Sequence, residues 1–166
     1  MTPSPELAIH EAGHLVAADA YELDFTIASL YRDKDSSGHV ELSPLVDQNI
    51  RSAWGKTDPK SRATVVAACI TFMAGAMAVR QAAGDTGDGM PRDVYGASGD
   101  YENAWALMPS TGVSWDWLKR KTRVFVALNY PTILHLAREL QASKIMTSGQ
   151  IRTAIEGGRS DLRDRW

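Results

Sequence analysis

Apolar positions recur at helical spacing along most of this chain and alternate at strand spacing over only one short stretch. Ser4-Pro5-Glu6 opens the first helix with a cap, a proline at the first position and an acid in the first turn. That helix is expected to run to about Tyr21, with Leu7, Val16 and Ala17 on its apolar side. Residues 25–32 (FTIASLYR) are rich in β-branched and aromatic side chains and predict a strand. Residues 33–38 (DKDSSG) form a turn cluster, and 39–42 predict the returning strand of a hairpin, stopped by Ser43-Pro44. A short helix over 45–54 follows, then a break at 55–59. Asp58-Pro59 opens a long apolar helix expected to reach about Ala83. Residues 84–90 with Pro91 read as a flexible loop that lacks the spacing of an EF-hand calcium site. Ser98 can cap a helix that begins near Gly99 and carries Asp100. Ser114 caps a further helix, which Pro131 is expected to break or restart and which ends near Ala142. Thr147 opens a last short helix ending near Gly157-Gly158, and the charged tail 159–166 is expected to fray. With no repeat and no linker, the pattern predicts one mainly α (α+β) domain over 1–166 with a small hairpin after the first helix.

One segment requires a choice between membrane and core. Residues 63–79 carry no charge between Arg62 and Arg80, which approaches the lower limit for a membrane span. The stretch is rich in Ala and Gly and only weakly hydrophobic, so it reads as a central buried helix, and no membrane segment is expected. The composition is that of a globular chain, 44% hydrophobic and 23% charged. A net charge of -2 gives no footprint for nucleic acid or for an anionic membrane surface. The single cysteine, Cys69, sits among apolar neighbours and reads as inert packing; it permits no intrachain disulfide and no Cys-rich zinc site. The N-terminus lacks a signal-peptide pattern, so the expected location is cytoplasmic.

The chemistry concentrates at His10-Glu11-Ala12-Gly13-His14, an HExxH motif. Two histidines four residues apart share one helix face a turn apart, so both imidazoles can reach one zinc ion. The glutamate beside the first can reach a water at that metal. A hydrolytic zinc also needs a third protein ligand and an open position. His39 and His135 are the only other histidines. His39, in the hairpin, is expected to face solvent or a bound chain, and His135 to be a partly buried helix residue. Acidic residues are too numerous for composition to choose among them.

The motif and its surroundings resemble the peptidase domain of the FtsH family of ATP-dependent zinc proteases. The family's HEAGH helix matches 8–14, and its segment of the type Thr-Thr-Gly-Ala-Ser-Asn-Asp matches Val94-Tyr95-Gly96-Ala97-Ser98-Gly99-Asp100. The stretch 145–157 is similar to the family's last helix. The resemblance implies a zincin-like fold, one Zn2+ per chain, Asp100 as third ligand to His10 and His14, and Glu11 as general base. It also implies that an edge strand near His39, Val40, Glu41 and Leu42 holds an extended substrate. An aspartate in the first turn of a helix is held as an anion, which suits a ligand.

The chain departs from the family on the long helix, where its Gly-Gly-Arg-Ala-Ala-Glu segment reads Ala74-Gly75-Ala76-Met77-Ala78-Val79, and at Val94-Tyr95 in place of two threonines. It has no GxxxxGK[ST] phosphate loop and so no ATP site; Gly55-Lys56 lacks the preceding glycine. The expectation is a zinc-dependent, ATP-independent endopeptidase acting on unfolded or specific protein targets, alone, as a homo-oligomer or beside a separate ATPase. Two alternatives stay open: a non-catalytic zinc-containing binding protein, and a zinc amidohydrolase of a non-peptide substrate. Trp105, Trp115, Trp117 and Val124-Phe125-Val126 suggest either a partner surface or, more in keeping with their helical setting, core.

Overall fold

The computed structural model describes residues 3–31, 38–85 and 97–163. The turn at 33–37, the loop over 86–92, Val94, Tyr95, Gly96 and tail residues 164–166 lie outside them. The described residues form helices α1 (Pro5–Ala20), α2 (Pro44–Ala53), α3 (Pro59–Ala82), α4 (Ala97–Leu107), α5 (Trp115–Ser143) and α6 (Ser148–Arg163). A single 3-10 turn (Met108–Ser110) follows α4, and strands β1 (Phe25–Ser29), β2 (His39–Leu42) and β3 (Ile145–Thr147) complete the chain.

Capping defines the helix starts. Ser4, Ser43, Asp58 and Ser114 each accept a backbone N–H of the first turn, from Leu7, Val46, Ser61 and Trp117 respectively. α1 and α3 pack against each other and against α5 as the central layer of the domain. α1 is buried nearly all round, including the charged and polar His10, Glu11 and His14. α3 is long and apolar enough to cross a membrane by length and composition, yet 67% of its apolar window is packed inside the domain. Cys69 lies there, its Sγ 3.5 Å from the Ala104 carbonyl, and burial pushes its thiol up to about 12.

The strands form an antiparallel sheet in the order β2-β1-β3. His39 pairs with Ser29 and Leu42 with Phe25, with a register shift between Phe25 and Ile27. β2 is therefore an edge strand among the described residues.

Several elements differ from the expectation. β1 stops at Ser29, after which the Leu30 N–H bonds to the Lys144 carbonyl. β3 leaves no signal in the sequence, because three residues are too few to display an alternation; Lys144, at φ 67, turns the chain out of α5 into it. Thr147 consequently belongs to β3, and α6 begins at Ser148. Pro131 neither breaks nor restarts α5. It sits on the exposed side, as does Ala127, whose carbonyl loses its donor where water can replace it. α6 does not end at Gly157-Gly158 but runs on to Arg163. A Cβ on Gly158 would meet Thr132 Cα and His135 Cβ at 3.2 Å, so this glycine serves close packing of α6 on α5. Arg159, expected in a frayed tail, pairs with Asp19 at 3.0 Å. The aromatic set also divides: Val126 is core and Trp115 and Phe125 pack against it, but Trp105, Trp117 and Val124 are exposed.

Candidate metal centre

α1 and α4 bring His10, His14 and Asp100 together, and α3 shapes the space around them. The His10 and His14 Nε2 atoms lie 3.0 Å apart. Asp100 Oδ2 is 3.1 Å from His10 Nε2 and 3.2 Å from His14 Nε2. Oδ2 is buried yet makes no hydrogen bond of acceptable geometry. The three atoms thus face a common point. A tetrahedral zinc with nitrogen and oxygen ligands at about 2.0–2.2 Å sets them roughly 3.3–3.5 Å from one another. The observed triangle is slightly tighter than that and fits such an ion.

The tautomer of His14 fits as well. Its Nδ1–H donates to the Thr71 carbonyl of α3 at 2.7 Å, which leaves the Nε2 lone pair turned inward for a cation. The inward lone pair of His14, a second ring nitrogen and a carboxylate oxygen at such separations are crowded together unless a proton or metal lies between them.

Room for the His14 ring comes from Gly75. A Cβ there would lie 2.4 Å from His14 Nε2 and 2.9 Å from the His10 carbonyl oxygen. Gly13 is its counterpart on α1, where a Cβ would meet the Ala74 carbonyl oxygen at 2.8 Å. The α1–α3 crossing therefore depends on two facing glycines. Neither Thr71 nor Gly75 stood out as functional in the sequence. The available signal was a glycine inside a long apolar helix, a costly residue that requires a packing reason.

The electrostatics follow from burial and crowding. Burial, then the neighbouring His14, lowers the pKa of His10 despite Asp100. For His14 burial also acts downward, but Asp100, Glu11 and the Thr71 carbonyl outweigh it and hold the ring at about 9. Burial works against ionisation of Asp100, but the two histidines prevail and keep its carboxyl well below the usual carboxylate range. Glu11 is buried beside them, and burial pushes it up to about 7. A carboxyl poised there can both take and return a proton near neutral pH.

Glu11 also marks where β2 approaches the centre. A Cβ on Gly38, the residue before β2, would lie 3.0 Å from Glu11 Oε1. His39, Val40 and Leu42 are half-buried and Glu41 is exposed. His39 neither faces fully into solvent nor joins the cluster, and its buried Nδ1 has no hydrogen-bond partner. His135 is half-buried on α5, as expected. Among the described residues, His10, His14 and Asp100 are the one group of metal-ligating side chains close enough to share an ion. No protein-family model matches the chain, and no curated protein is significantly similar to it.

Proposed function

We propose that this chain is a zinc-dependent endopeptidase of zincin-like fold. The observation that carries the reading is the triangle of His10 Nε2, His14 Nε2 and Asp100 Oδ2, with the His14 tautomer fixed by Thr71. The HExxH sequence and the resemblance of 94–100 to the FtsH segment support it from a separate direction. Zinc bound there supplies Lewis acidity, lowering the pKa of a water toward about 7 and drawing charge from a carbonyl oxygen.

The chain's own groups do the rest. His10, His14 and Asp100 hold the ion, and the anionic Asp100 offsets part of its charge. Glu11 accepts the proton of the attacking water and returns it to the leaving amine, a task that suits its raised pKa. Gly38 leaves the Glu11 carboxylate room beside the strand. The edge of β2 from His39 to Leu42, unpaired among the described residues, offers backbone groups to an extended polypeptide, which would add to the sheet as a further strand next to the centre. An unfolded or loosely folded segment is the substrate this arrangement accepts, since a folded one does not present a free backbone.

A Glu11→Gln variant tests the reading, because it keeps the ligands and removes the base. Zinc content should stay near one ion per chain, and cleavage of an unstructured protein such as casein should fall by about 10²–10⁴-fold. Cleavage at the wild-type rate would sink the mechanism.

A further inference from the structure

The outward face of α5 has no partner among the described residues and an unusual composition. α5 buries Leu118, Thr122, Val126, Ile133, Leu136 and Leu140 against the core. On the opposite side lies a ridge of Trp117, Val124 and Leu128, which are 37%, 50% and 74% exposed. At about 100° per residue these three side chains fall within a narrow stripe, with Lys121 on one flank and Arg120 on the other. Both cations are exposed. Lys119, further round, is occupied by Asp116 at 2.9 Å.

The charge is segregated. Residues 115–130 contain four cations (Lys119, Arg120, Lys121 and Arg123) and one acid (Asp116), a net of +3 in a chain whose total is -2. The rest of the protein therefore sums to -5, against +3 on this stretch of α5. An apolar ridge with a tryptophan, flanked on both sides by long cationic side chains, matches the chemistry of a membrane interface. The ridge enters the acyl boundary while the cations reach the headgroups.

We propose that this face of α5 docks the protein onto an anionic lipid surface, as a peripheral contact lying in the plane of the membrane. A second copy of the chain is a poorer occupant, since a two-fold contact on this ridge sets Arg120 and Lys121 against their own equivalents. An acidic protein would satisfy the cations but gives no account of the exposed Leu128 and Val124 between them. The proposal does not depend on the zinc reading, because α5 contributes no ligand to the metal centre.

The test is sedimentation of the full chain with vesicles of phosphatidylcholine alone or with 30 mol % phosphatidylserine, at low and at physiological salt. Leu128→Glu and the pair Arg120→Ser/Lys121→Ser are compared with the parent, each checked for a native circular dichroism spectrum. All three positions are exposed, so folding should survive. Binding is expected only to the anionic vesicles and should weaken with salt. It should fall by about thirtyfold in the double variant, at about 1 kcal/mol per cation, and by at least about tenfold for Leu128→Glu. Equal binding to neutral and anionic vesicles, no binding to either, or unaltered binding by the variants would overturn the proposal. So would binding to soluble polyglutamate as tight as to vesicles and indifferent to Leu128→Glu, which would point to an acidic protein instead.

Discussion

At the scale of single residues, two groups shape the proposed metal centre, and neither is one of its proposed ligands. Gly75 is the first. Its missing side chain is the space the His14 ring occupies, and a Cβ there would also meet the His10 carbonyl oxygen of the opposing helix. Gly75→Ala is expected to push α1 and α3 apart or to swing His14 off the site. Zinc affinity should fall by at least about tenfold, and overpacking should cost about 1–3 kcal/mol of stability. Zinc titration together with chemical denaturation checks both, and an alanine variant with unchanged zinc affinity would contradict the assigned role. The second group is the Thr71 carbonyl, which accepts the His14 Nδ1–H; Asp100 foremost, then Glu11 and this carbonyl, hold the ring's pKa at about 9 against burial. A metal takes the deprotonated ring, so below that pH it must displace a proton. The raised pKa means the proton is bound at pH 7 and lost as pH climbs through 9. Apparent zinc affinity should therefore rise by about tenfold per pH unit between 7 and 9 and then level off. His10, whose pKa is lowered, adds no proton to displace over that interval. Competition against a chromophoric chelator across this range reads the slope, and a flat response would show that His14 is already neutral.

At the scale of elements, the glycines of α6 have opposite roles despite identical chemistry. A Cβ on Gly149 meets nothing, whereas one on Gly158 meets the backbone and side chain of Thr132 and the Cβ of His135. Gly149→Ala should raise stability by about 0.5–1 kcal/mol through helix propensity. Gly158→Ala should lower it by about 1 kcal/mol or more, because Thr132 is buried in α5 and has nowhere to go. Thermal melts of the two variants give the comparison, and equal shifts would contradict the packing role. This pair also explains why the end of α6 was misplaced from sequence: Gly157-Gly158 looks like a helix stop when only local signals are read, and its reason lies on another helix. Pro131 misleads similarly. By contrast, the starts of α1, α3 and α5 are legible because their signals are local: Ser4 and Asp58 each cap a helix whose first residue is proline, and Ser114 caps one with Asp116 in its first turn. β3 was not, since its pairing with β1 is made across more than a hundred residues of chain.

At the scale of the whole molecule, the candidate ligand set is more legible in the sequence than the frame around it. His10, Glu11 and His14 follow from spacing on one helix, and Asp100 came from a resemblance to a known segment; all four are gathered at the junction of α1 and α4. The cavity-shaping part of α3 was invisible, because Thr71 acts through its backbone and Gly75 through an absence. The exposed ridge of α5 was also misjudged, since helical spacing alone cannot tell an inward apolar face from an outward one. The central claim is that this fold builds a three-ligand zinc site from α1 and α4. Its most direct measurement is a zinc-binding isotherm with stoichiometry for the parent chain and for Asp100→Ala. One zinc per parent chain is expected, and an affinity at least about a hundredfold weaker without Asp100, roughly the loss of a charged ligand. Equal occupancy and affinity in the two proteins, or no zinc in the parent, would contradict the claim.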